Sequence, residues 1–118
     1  GPPDEKLTRT QQFYTAAAAL GPPLKLTTIY INYPTPAQAT QAKALAAKLE
    51  QNSAFVILPP QQAIPFIAPT RAEINYYIAA DAPIAQILAA ELPGTRPNFF
   101  REHLSNIPPG VIEIWFPR

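Results

Sequence analysis

Glu73 and Glu113 are two carboxylates set in strand-like surroundings, and a pair of carboxylates is the least that glycoside hydrolysis requires. Any domain of this size has two such residues, however, and Arg71 or Arg118 can pair with either one. Structural pairing is the reading carried forward. His103, in Arg101-Glu102-His103-Leu104, is the single histidine, and one histidine without other strong ligands does not build a zinc site. A Ser–His–Asp arrangement would draw on Ser53 or Ser105 with Asp81, but no nucleophile-elbow pattern surrounds either serine. With no cysteine there is no thiolate chemistry and no disulfide. The four glycines form no phosphate-cradling loop. The expectation is therefore a non-enzymatic chain without cofactor or metal, with a small hydrolase as the contrasting class.

Recognition chemistry is better represented. In Glu73-Ile74-Asn75-Tyr76-Tyr77-Ile78 the side chains alternate, with Ile74, Tyr76 and Ile78 on one side and Glu73, Asn75 and Tyr77 on the other. Leu24 to Tyr33 repeats the device, with Ile29 and Ile31 opposing Thr28, Tyr30 and Asn32. Val111 to Phe116 does so again, with Ile112, Ile114 and Phe116 opposing Val111, Glu113 and Trp115. If the isoleucines face a core, the uncovered side of the sheet carries Tyr30, Asn32, Glu73, Asn75, Tyr77, Glu113 and Trp115, with Thr28 beside them. Rings supply contact area and amides fix orientation, a combination suited to a glycan or peptide. The competing explanation is a solvated face whose rings serve stability alone.

Two helices are expected to cover the apolar side. Thr35 is placed as an N-cap with Pro36 in the first turn, and Ala39, Ala42, Leu45, Ala46 and Leu49 follow at helical spacing to about Gln51. Asp81 is the expected cap of the second helix, whose buried stripe reads as Ile84, Ile87 and Leu88 with Leu92 near its end. Residues 54–58 form an unbroken apolar run read as a strand. Residues 59–69 hold four prolines and read as an extended connection over a sheet edge, anchored by Ile64 and Phe66. Residues 95–107 are polar around Phe99, Phe100 and Leu104, suggesting one helical turn on the surface. Phe13 to Leu20, rich in alanine, predicts a short N-terminal helix ended by Gly21-Pro22-Pro23. The order strand–helix–strand–strand–helix–strand predicts an α+β two-layer sandwich (βαββαβ). It has a four-stranded, mostly antiparallel sheet with two helices on one face.

Size and composition bound these readings. At 118 residues with 47% apolar side chains, the chain supports one domain with a core. A chain opening on Gly1-Pro2 without methionine reads as a piece of a longer protein. Residues 1–23 are taken as tag remnant, linker and short helix, and 24–118 as one α+β domain. Net charge is +1 with no basic run, which disfavours nucleic acid. No apolar run approaches the roughly 20 residues that span a bilayer.

Two resemblances add to this reading. The segment Thr70-Arg71-Ala72-Glu73-Ile74-Asn75-Tyr76-Tyr77, followed by Asp81 and an alanine-rich helix, is one carrier of the first. The ending Pro109-Gly110-Val111-Ile112-Glu113-Ile114-Trp115-Phe116 is another, together with the Ile-Tyr-Ile first strand and the helix after it. Over residues 25–118 these resemble small C-terminal modules of bacterial multidomain proteins, and are similar to the C-terminal domain of LytR-type cell-envelope proteins. The first strand lacks the Asn-Gly that follows it in that family. The resemblance implies an accessory module without catalytic residues. Separately, Thr28-Ile29-Tyr30-Ile31-Asn32 looks like the first strand of an RNA recognition motif, whose sheet aromatics stack bases. The basic and Gly-aromatic third-strand motif of that family is missing, and Glu73 and Glu113 would repel phosphate. The expected function is a non-catalytic interaction or ligand-recognition module of a larger bacterial protein. Its partner would be a protein, peptide or envelope polymer, and a homodimer through a sheet edge is a further option.

Overall fold

Isoleucine at every second position gives three segments one apolar and one polar face, and the fold stacks those faces in register. The computed structural model describes residues 26–100 and 107–118. The expected N-terminal helix, the boundary at residue 23, His103 and Ser105 lie outside the described residues. Strands are β1 (Thr27–Tyr33), β2 (Phe55–Ile57), β3 (Gln61–Gln62), β4 (Glu73–Tyr76), β5 (Arg96–Phe99) and β6 (Val111–Trp115). Helices are α1 (Ala39–Leu49) and α2 (Ala82–Glu91), with single 3₁₀ turns at Pro36–Gln38, Pro65–Ile67 and Ala79–Asp81.

The fold is α+β, with a mixed sheet in the order β2-β1-β6-β4-β5 and β3 pairing with β1 beyond β2. This corrects the expectation of four mostly antiparallel strands. There are six strands among the described residues, and only β4–β6 is antiparallel, while β1–β2, β1–β3, β1–β6 and β4–β5 run parallel. The reason is the helices. Each joins two adjacent strands, β1 to β2 and β4 to β5, and a helical crossover returns the chain to the end at which it started. The molecule is thus two β-α-β units facing opposite ways, with β6 inserted between them.

Both helices lie on one face. Ile29 and Ile31 of β1, Ile112 and Ile114 of β6, and Ile74 of β4 are buried beneath Ala42, Leu45, Ala46 and Leu49 of α1 and Ala85 and Leu88 of α2. Burying a side chain of this kind contributes about 1.5–3 kcal/mol. Tyr76, on the same side, stacks on Phe99 with centroids 5.1 Å apart and planes 8° from parallel. The expected stripe of α2 needs one correction: Ile87 is 55% exposed, and Ala85 takes its place against the sheet. A helix that close to a sheet has room for a methyl where its axis crosses, and the larger isoleucine falls outside the contact.

Thr35 is the N-cap of the first helical turn with Pro36 after it, as expected, while the second cap differs. The Thr35 N–H and hydroxyl both donate to Gln38 Oε1, at 3.1 and 3.0 Å, while Gln38 Nε2 donates to the Pro117 carbonyl at 2.7 Å. That side chain ties the start of the first helical turn to the far end of the chain. Asp81 makes no side-chain cap to its own helix. Its Oδ2 instead accepts the Gly110 N–H at 2.8 Å, holding the turn that launches β6. Ile64 and Phe66 are not anchors: they are 55% and 76% exposed, because the 3₁₀ turn at Pro65–Ile67 lifts them off the sheet edge. The polar stretch after Thr95 begins as a strand, β5, rather than a helical turn.

Candidate ligand-recognition face

The strands carry the predicted side chains to the sheet face away from the helices in two cross-strand rows. Tyr30 lies opposite Glu113, Glu113 opposite Asn75, and Asn75 opposite Asn98. In the next row Asn32 lies opposite Trp115, Trp115 opposite Glu73, and Glu73 opposite Arg96. Alternation along three strands therefore brings six of the seven expected residues to one surface, and the seventh, Tyr77, lies just beyond β4 beside the same cleft.

This surface is not flat. A cleft of about 430 Å³ opens over its β4–β6 half, and Glu73, Asn75, Tyr77, Glu113 and Trp115 line it. Tyr30 and Asn32 are not part of its wall. The remaining wall comes from chain segments that arch over the strands: Ile67 and Pro69 before β4, and Phe100 and Ile107 beyond β5. The Phe100 and Tyr77 rings are neighbours, their centroids 6.2 Å apart and their planes tilted by 44°. These wall residues escape sequence reasoning because only the three-dimensional path of their loops brings them here. Asn98 was also missed. Its Nδ2 donates to Glu73 Oε2 at 2.9 Å, so Glu73 is held by an amide across the β4–β5 ladder. Glu73 further borders a neighbouring hollow of about 450 Å³ with Arg71 and Arg96.

At the floor of the cleft Asn75 is only 6% exposed, and its Oδ1 has no hydrogen-bond partner. A buried polar atom left without a partner costs on the order of 1–3 kcal/mol. Beside it, burial pushes the Glu113 carboxyl above its ordinary value, partly offset by a hydrogen bond from the Trp115 side chain. The cleft thus has two neighbouring acceptors, one unsatisfied and one poorly solvated, under a roof of rings.

The chain matches no protein-family model, no curated protein and no solved structure.

The catalytic alternatives meet a different geometry. Ser53 sits exposed in the turn before β2, and the Asp81 carboxylate is committed to the Gly110 amide. Among the described residues no three His, Asp or Glu side chains gather as a metal site. No helix among them is long and apolar enough to cross a membrane. A second hollow of about 800 Å³ lies on the helix side, between α1 and the end of α2, with Leu45, Leu92 and Phe116 in its wall. It is apolar, and no unpartnered polar group among the described residues marks it.

Proposed function

We propose that this chain is a non-catalytic recognition module that binds a protein, peptide or envelope polymer on the sheet face opposite its helices. The observation that carries the reading is Asn75 Oδ1: a buried acceptor with no partner of its own at the base of a ring-lined cleft. Native proteins satisfy the great majority of buried polar atoms, and the exceptions call for an explanation such as a missing ligand. Trp115 and Tyr77 frame the opening, and such side chains supply much of the energy of binding sites. The likeness to LytR-type C-terminal modules favours a bacterial accessory domain in a larger protein. A homodimer through a sheet edge is less well supported, since Pro97 lies in the β5 edge and Pro59-Pro60 interrupt the other edge between β2 and β3.

Calorimetric titration of the chain with peptide pools and with soluble envelope-polymer fragments tests the proposal. The Tyr77→Ala/Trp115→Ala double variant is expected to lose whatever binding the wild type shows while keeping its circular dichroism spectrum. Unchanged binding by that variant would remove the face from consideration. A second reading has one observation in its favour, because Glu73 and Glu113 line the same cleft, as a hydrolytic carboxylate pair must. Turnover of a bound glycan fragment, abolished by Glu113→Gln, would favour that reading; binding without turnover favours recognition.

A further inference from the structure

The chemistry of the cleft narrows what can enter it. Among the described residues its polar lining includes two carboxylates, Glu113 and Glu73, beside Asn75, whose Oδ1 has no donor. Glu73 already accepts an amide hydrogen from Asn98, and it borders a neighbouring hollow that Arg71 and Arg96 also line. Glu113 has only the Trp115 hydrogen bond against its loss of water. No basic residue among the described ones lines the cleft. A ligand that brings donors and positive charge suits these two carboxylates.

Rings reinforce the same choice. Trp115, Tyr77 and Phe100 line the same cleft as the carboxylates, and aromatic rings attract cations placed over them within about 6 Å of their centroids. A sugar's hydroxyls would leave the Glu113 charge unanswered. A cationic group on an apolar stem meets all three conditions at once. The rim indicates what presents it. Ile67 lines the cleft and is 54% exposed, and Phe66 and Ile64 continue the same exposed turn. A free amine would leave that apolar ridge in water, whereas a peptide crossing the mouth would cover it.

We infer that the cleft over β4 and β6 receives the basic side chain, lysine or arginine, of a partner peptide, whose donors engage Asn75 Oδ1 and Glu113 while its flanking residues lie on Ile67 and Phe66. This rests on the recognition reading above and gives that reading a ligand class.

Trp115 is the sole tryptophan, so its emission reports directly on the site. The full chain is titrated with three probes: blocked hexapeptides carrying one arginine or lysine among apolar residues, the same peptides with citrulline or norleucine at that position, and free agmatine. Saturable change with the basic peptides is expected, with the neutral counterparts weaker by about tenfold or more, as the loss of a charge-assisted hydrogen bond implies. Agmatine is expected to bind more weakly than the arginine peptide. Glu113→Gln, nearly isosteric and readily checked for folding by its thermal melt, should erase the preference for the basic peptide. Equal binding of neutral and basic peptides would overturn the cationic ligand while leaving the recognition face standing. Agmatine binding as tightly as the peptide would overturn the peptide component. No response to any probe, together with no binding of envelope-polymer fragments, would remove both the inference and the function it rests on.

Discussion

Glu113 brings the cleft's electrostatics into the stability of the fold. In the unfolded chain its carboxyl titrates near the ordinary 4.5, and burial raises it in the native state. Just above that value the native state keeps a proton that the unfolded chain has released, so stability falls as pH rises through the window. Below it the penalty is absent; above the folded value it is fully present. Glu113→Gln abolishes this titration and can still accept the Trp115 hydrogen bond. The variant is therefore expected to gain on the wild type between about pH 4 and about pH 7, read as the difference in urea midpoint at the two values. An advantage that shrinks toward neutral pH would contradict the direction of the shift. The two glycines with φ near +84° offer a second measurement at this scale. A Cβ on Gly94 meets nothing within 4 Å, whereas on Gly110 it would sit 2.9 Å from the Leu26 carbonyl oxygen. Gly94→Ala is expected to cost about 1–2 kcal/mol for the left-handed backbone alone. Gly110→Ala adds a backbone clash and is expected to cost about 3 kcal/mol or more, with chemical denaturation separating the two.

At the level of elements, α2 offers a direct contrast. Leu88 is fully buried in the core, and Ile87, one position before it, is more than half exposed. Leu88→Ala should lose about 2–5 kcal/mol, while Ile87→Ala should stay within about 1 kcal/mol, both by urea denaturation. The same pair shows why the sequence is read well in some places and badly in others. Alternation along 28–32, 73–77 and 111–115 puts Ile29, Ile31, Ile74, Ile112 and Ile114 in the core as read, because a period of two admits no other arrangement once one side is buried. Strand direction is not written in that period, which is identical for parallel and antiparallel pairs; only the helical crossovers carry it. Arg96-Pro97-Asn98-Phe99 has neither apolar alternation nor β-branched residues, so β5 exists through its ladder with β4 and not through local preference. Ile64, Phe66 and Ile87 show the converse, since apolar type attracts burial but the path of the backbone decides it. Asn75 joins both lessons: its face was legible, while its burial depends on loops arriving from either side.

Across the whole molecule, β6 is the piece on which the two β-α-β units depend. It pairs with β1 from Thr28↔Val111 to Asn32↔Trp115 and with β4 from Glu73↔Trp115 to Tyr76↔Ile112. No ladder joins β1 directly to β4. Ile112 and Ile114 also belong to the one core cluster that residues of both helices share, and the Asp81–Gly110 hydrogen bond ties the second unit to the turn that starts β6. Without β6 the halves would be a β1 ribbon with short β2 and β3 and a two-stranded β4–β5 ribbon, each with one helix and too little surface to bury for a stable unit. A chain ending at Gly110 should therefore show no cooperative thermal transition, rather than a lowered one. It should also expose apolar surface to a hydrophobic dye and lose the cleft, because Glu113 and Trp115 go with the strand. Amide exchange in the intact protein checks the same dependence without truncation: β1 and β6 should exchange only through global opening, with β3 and β5 at the margins exchanging sooner. If the truncated chain instead melts cooperatively, the halves stabilise themselves, and β6 is an addition to the fold rather than its joint.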